Sequence, residues 1–378
     1  MTNKHLIDRV RGLVLASAII ASNTPFGASY KSIYAEKRES PKQTLEIMAE
    51  EPDSNRDVEQ TIERKFQEYF KSYSIDGKNI TLNMPFGQNG ERSKNMGYEQ
   101  RISYDGKGDP KDLWNVVDKV VKTGRFNTYI SELKAPEEKV VVFDLKTQKY
   151  NISKDKKLIS QMRNGKYPGN DSLVYVYKKD GSLGEEDVYN YLYCLSSVGS
   201  DCAGFVYNIQ KAIAYEKGIN LDEILAKKWG VRQDKLPIYV GERFYNPEYG
   251  CTERIDDKIS NIRAGDVISF RGNDGKIKHY AVIQSVDMEK GEIRYFQCTD
   301  WALPEERGVH ESLIKFNPEN PNASLKDKSL IWTQEIQPTF KGEEVVCWKT
   351  DKDRYRAYPE YGGSVIVRLK LDRPRRNL

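Results

Sequence analysis

Histidine is scarce in this chain: three in 378 residues, His5, His279 and His310. Any reaction that needs an imidazole base has only those choices. Cysteine is nearly as scarce, with five: Cys194, Cys202, Cys251, Cys298 and Cys347. No two of them stand as C-x-x-C, which removes a thioredoxin-like redox centre and a zinc ribbon. There is no H-E-x-x-H, no phosphate-cradling glycine loop and no dinucleotide fingerprint, so neither a metal nor a cofactor is expected. Charge of one sign is not in excess. A net charge of +4, with no basic run interleaved with stacking aromatics, gives no nucleic-acid partner. No apolar run reaches the roughly 20 residues of a comfortable membrane span.

The longest apolar run, Leu13 to Ala21, follows Lys4, Arg9 and Arg11 and precedes Gly27-Ala28-Ser29. Basic, apolar, small-x-small is the order of an export signal over residues 1–29. The other reading is an uncleaved anchor. No cysteine follows the apolar run, so a lipid anchor is not expected. The chain is expected in a secreted, periplasmic or cell-envelope location, as a monomer without stable membrane insertion after processing. The odd cysteine count fits one free thiol beside up to two disulfides, and equally five unpaired thiols.

Charged residues make up 31% and hydrophobic ones 38%, enough for one good core and a smaller second one. Residues 30–56 read as a polar linker. An accessory α/β region is expected over 57–165. Ile62, Phe66, Tyr69 and Phe70 mark a helix within Asp57–Tyr73. Residues 75–110 read as loops with one hairpin. Leu113, Val116, Val117, Val120 and Val121 mark a second helix, from Pro110 to near Gly124. Lys139–Phe143 is a short buried strand. This region could serve as a wall-targeting module. Residues 151–172 read as a connector and Leu173–Tyr177 as a strand. Glu186–Leu195 reads as a helix with Val188, Tyr191 and Leu192 inward.

The densest signal is Gly199-Ser200-Asp201-Cys202-Ala203-Gly204-Phe205-Val206. Ser200 and Asp201 are good N-cap types. Cys202, Phe205, Val206, Ile209 and Ile213 then fall on one helical face, which stops near Gly218. Cys202 therefore opens a helix, whose end carries about half a positive charge and favours a thiolate. The bland alternative is a small buried hydrophobe, the role most cysteines play. Further on, Gly265-Asp266-Val267-Ile268-Ser269-Phe270 leads through a turn into His279-Tyr280-Ala281-Val282-Ile283. As a strand, His279, Ala281 and Ile283 share one face, and Tyr280, Val282 and Gln284 share the other. His310 falls in a loop, as a surface or supporting residue. A thiol at a helix start and an imidazole on a rigid strand are the parts of a Cys-His nucleophile pair.

These blocks resemble the NlpC-type cell-wall cysteine peptidases, over roughly residues 186–300. The resemblance implies an α+β fold with a papain-like core, its nucleophile helix packed on an antiparallel sheet, over residues 166–378. It implies hydrolysis of amide bonds in peptidoglycan stem peptides through a thioester on Cys202, with His279 as base. A third polar residue on the next strand holds the imidazole; by position this is Gln297, with Asp300 second. In the family an aromatic hydroxyl upstream of the cysteine lines the cleft; Tyr193 and Tyr191 match by position. Asp201 and Trp301 are placed with Tyr193 as substrate-binding residues, Trp301 at the cleft rim. Three departures stand out: Ala203 where the family has serine, an insertion over 219–260, and the third position itself. The insertion includes a helix over Leu221–Val231 and an aromatic loop with Tyr239, Phe244, Tyr245 and Tyr249. Val345–Trp348 and Ser364–Leu369 read as further strands, the latter closing the sheet.

Two other functions fit the same sequence. One is an N-acetylmuramoyl amidase of the related CHAP-type fold. The other is an exported binding or scaffold protein on a papain-like core without activity.

Overall fold

The computed structural model describes residues 54–87, 108–164, 166, 173–196, 198–272, 274–299, 308–332 and 362–370, and the two-residue strands 339–340 and 343–344. The leader over 1–29, most of the linker, Asp300, Trp301, Cys347 and the strand expected at Val345–Trp348 lie outside these residues. The fold is α+β, and its strands pair antiparallel throughout the described sheets.

Helix α1 (Ser54–Gln67) ends before Phe70, which opens the hairpin β1 (Phe70–Ile75) and β2 (Lys78–Asn83). The helical spacing expected to run to Tyr73 therefore breaks into a strand. Asp76 and Gly77 make the turn, both with positive φ. Helix α2 (Pro110–Val120) starts as expected: Asp109 caps it from its side chain, and Pro110 sits where a missing N–H costs nothing. Gly124, expected to stop this helix, instead opens α3 (Gly124–Leu133), capped by the Thr123 hydroxyl. The end of α3 is closed by a buried cation. Lys139 Nζ donates to the carbonyls of Glu132, Leu133 and Ala135, at 3.1, 2.9 and 2.6 Å.

Strands β3 (Lys139–Asp144), β4 (Lys149–Ser153) and β5 (Leu173–Lys178) form a small sheet in the order β4-β3-β5. The expected connector over 151–172 holds the end of β4 and the helix α4 (Lys156–Arg163). Helix α5 (Glu185–Tyr191) runs into a π-turn, Leu192–Ser196, just before the cysteine block. Helix α6 (Cys202–Glu216) follows, then α7 (Leu221–Trp229) and the short turns α8 (Leu236–Tyr239) and α9 (Glu242–Tyr245).

The main sheet has seven strands: β6 (Thr252–Ile255), β7 (Val267–Arg271), β8 (Ile277–Asp287), β9 (Glu292–Thr299), β10 (Gly308–Lys315), β11 (Ile331–Trp332) and β14 (Ser364–Leu369). A two-residue hairpin, β12 (Thr339–Phe340) and β13 (Glu343–Glu344), stands apart from it. The order is β11-β10-β9-β8-β7-β14-β6. Strand β14, expected to close the sheet, lies inside it, between β7 and β6.

Both faces of this sheet are buried. On one face Val267, Tyr280, Val282, Phe296, Cys298 and Val309 pack with Phe205, Val206 and Ile209 of α6 and with Phe66 of α1. The rings of Phe66 and Phe296 stack 3.8 Å apart. On the other face Phe270, Ala281, Ile283, Tyr295, Ile314 and Trp332 form a second core. The α6-side core continues through Leu113, Val117, Phe126 and Phe143. It crosses the boundary expected near residue 165, as does the pairing of β3 with β5.

Candidate functional site

The cysteine turn is built by backbone. Ser200 N donates to Pro85 O at 2.8 Å and Gly87 N donates to Ser200 O at 3.0 Å, stitching the end of the hairpin arm to the start of α6. The approach is close enough to demand glycine. A Cβ on Gly199 would sit 2.1 Å from Pro85 O, and one on Gly87 would sit 2.7 Å from Gly199 N. Ser200 O also accepts from the Cys298 thiol, at 3.1 Å.

Cys202 takes the first position of α6 and is half-buried. Asp201 caps the helix, its carboxylate accepting from Gly204 N at 2.5 Å. Its negative charge therefore lies at the same helix end as the thiol and offsets the positive end of the helix. Asp201, expected as a substrate-binding residue, is placed as the cap of this helix.

Two tyrosines pack together at the start of α6. Tyr245, from the insertion, donates its hydroxyl to Ala203 O at 2.9 Å, and its ring lies 4.0 Å from that of Tyr280. Burial, then the neighbouring Tyr280, Cys202 and Asp201, push the Tyr245 phenol well above its ordinary range, so it stays a neutral donor. In the sequence Tyr245 is one of several aromatics in the insertion, and Tyr280 is marked only by its strand face. Tyr280 could have been found from strand parity alone.

His279 sits elsewhere. Across the β7–β8 pair it stands opposite Phe270, with ring centroids 5.6 Å apart. Phe270 belongs to the core on the face away from α6. His279 Nε2 meets Gln297 Oε1 at 2.6 Å, and Gln297 Nε2 donates to Ser312 Oγ at 3.0 Å. The amide oxygen accepts, so Nε2 carries the proton. Gln297 is opposite Ala281 and His310, again on the face away from α6. The structure thus brings His279 and Gln297 together and leaves Cys202 on the other side of the sheet. The strand faces are as expected. α6 covers the Tyr280–Val282 face.

His310 lies on β10 rather than in a loop, 6% exposed, with Nδ1 2.9 Å from Gly308 O. Tyr193 is in the π-turn, its ring stacked 6.0 Å from that of Tyr189. Tyr191 is fully buried beside Phe126 and Tyr129. Asp266, in the Gly-Asp block, makes a two-pronged bond to Arg368 at 2.7 and 2.8 Å, and so ties β7 to β14. None of Cys194, Cys202, Cys251 and Cys298 is in a disulfide. Among the described residues no group of three His, Cys, Asp or Glu side chains is placed to hold a metal ion.

No family model matches the chain, and no match was found among curated proteins or among solved structures.

Proposed function

We propose that this chain is an exported cell-envelope protein that holds peptidoglycan stem peptides on an NlpC-like scaffold without cutting them. The observation that carries the proposal is the placement of Cys202 and His279 on opposite faces of one sheet. A general base must come within about 3 Å of the proton it removes, directly or through one water. A strand's two faces are separated by its own backbone. His279 would reach the α6 face only by a one-residue slip of β8, which would carry Ala281 and Ile283 out of their core as well. His310, the other described histidine, faces the same way as Gln297. At the start of α6 the Asp201 carboxylate is held on Gly204 N and the Tyr245 hydroxyl on Ala203 O.

A second reading is hydrolysis, by the endopeptidase or amidase route. It is favoured by the 2.6 Å bond between His279 and Gln297 at the positions the resemblance names for base and orienting group. In it the sulfur attacks the amide carbonyl, His279 protonates the leaving amine, and water releases the thioester.

Digestion decides between them. The full chain and its Cys202→Ala variant are incubated with soluble peptidoglycan fragments, with products read by mass spectrometry and retention by equilibrium dialysis. The binding reading expects no new fragments and equal retention by both proteins. Fragments from the wild type alone would establish the hydrolase, and their masses would name the bond.

A further inference from the structure

A cleft of about 720 Å³ lies far in sequence from Cys202, between α3 and β4. Its helical wall is Arg125, Thr128 and Glu132, which share one exposed face of α3. Its other wall is the continuous run from Thr147 to Ile152. Consecutive residues point to alternate sides of a strand, so a cleft lined by all of them meets the strand edge-on. β4 is the outer strand of its sheet, and among the described residues no strand pairs with its free edge.

Two contacts fix how the walls align. Arg125 donates to Gln148 O at 2.6 Å, and the Tyr150 hydroxyl donates to Glu132 at 2.8 Å. The guanidinium therefore marks the end where β4 begins and the carboxylate marks a point further along it. Seven helical residues separate the two charges, about 10 Å at 1.5 Å per residue. That is about three residues of extended chain. Gln148, at the cationic end, is 3% exposed, has φ of +53°, and has neither amide atom hydrogen-bonded. A buried amide without partners is costly unless something completes it.

We infer that this cleft binds a short extended peptide of about three residues with free ends. It adds to the edge of β4, its carboxylate toward Arg125 and Gln148 and its amine toward Glu132. The peptide then runs antiparallel to β4. Strand addition supplies affinity through main-chain hydrogen bonds, and the charged ends supply direction and length selection. The inference stands apart from the reading of Cys202, because none of that residue's surroundings lines the cleft.

The test is calorimetric titration of the full chain with trialanine, with N-acetyl-trialanine amide, and with trialanine N-methylated along its backbone. Trialanine is expected to bind, and the other two to bind at least tenfold more weakly. Arg125→Ala should weaken trialanine about tenfold, the range of a charge-assisted hydrogen bond, and leave the amide-ended peptide unchanged. Arg125→Ala removes the bond to Gln148 O, so an unchanged urea midpoint is required of it before its affinity is read. Equal affinity for the three peptides, no binding of trialanine, or indifference to Arg125→Ala would overturn the assignment.

Discussion

A thiol attacks as its anion, and an imidazole within hydrogen-bond reach is the usual means of making that anion near neutral pH. Cys202 has an acidic cap beside it and the Tyr245 phenol near it, while the imidazole bonds a buried amide across the sheet. Iodoacetamide should therefore alkylate Cys202 at pH 7 no faster than free cysteine; a rate tenfold higher would restore the hydrolytic reading. His279→Ala should lower stability by about 1–3 kcal/mol, the cost of leaving the buried Gln297 oxygen unpaired. The same change should leave the alkylation rate of Cys202 as it was. A second residue-scale prediction concerns Asp118. Burial works against its charge, but the Lys71 ammonium at 2.7 Å and the Tyr73 hydroxyl at 2.8 Å outweigh it and hold the carboxyl below its usual range. A depressed folded pKa adds stability above the ordinary carboxylate range and loses it as pH falls through the lowered value. The pair is partly exposed, so wild type and Asp118→Asn should differ by under about 1 kcal/mol at pH 7 and converge in acid urea titrations.

At the scale of elements, what could be read in advance was what each segment does on its own. The α6 signal was local: a capping aspartate, a small pair at Ala203-Gly204, apolar residues on one face and a glycine just past the end. The parity of β8 was local too. Which face of β8 meets α6 is not local, because Tyr280, Val282, Ala281 and Ile283 are all core residues and a doubly buried strand shows no polar side. The short helix α3 escaped notice because Gly124 reads as a stop, whereas Thr123 makes it a start. Likewise the bond between residues 85–87 and 199–200 joins segments far apart in sequence, and only its glycines hint at it. Gly199→Ala should test that contact. A Cβ 2.1 Å from a carbonyl forces the two backbones apart, and urea unfolding should show a loss of about 1–3 kcal/mol. An unchanged midpoint would mean that the arm is free to move.

For the molecule as a whole, the continuous core argues that the accessory region and the sheet fold together. Residues 113–143 pack in the same cluster as α6 and β8, and β5 completes the sheet that β3 and β4 begin. Calorimetry should show one unfolding transition whose van't Hoff and calorimetric enthalpies agree. Two resolved transitions would separate the regions after all. The position of β14 carries a consequence for biosynthesis. Residues 364–369 slot between β7 and β6, so a chain made from its N-terminus cannot finish its main sheet until that segment has been synthesised. Until then, among the described residues, neither β6 nor the outer edge of β7 has a strand beside it. Strand order alone thus makes two neighbouring parts of the sheet wait for a segment that the ribosome adds long after both.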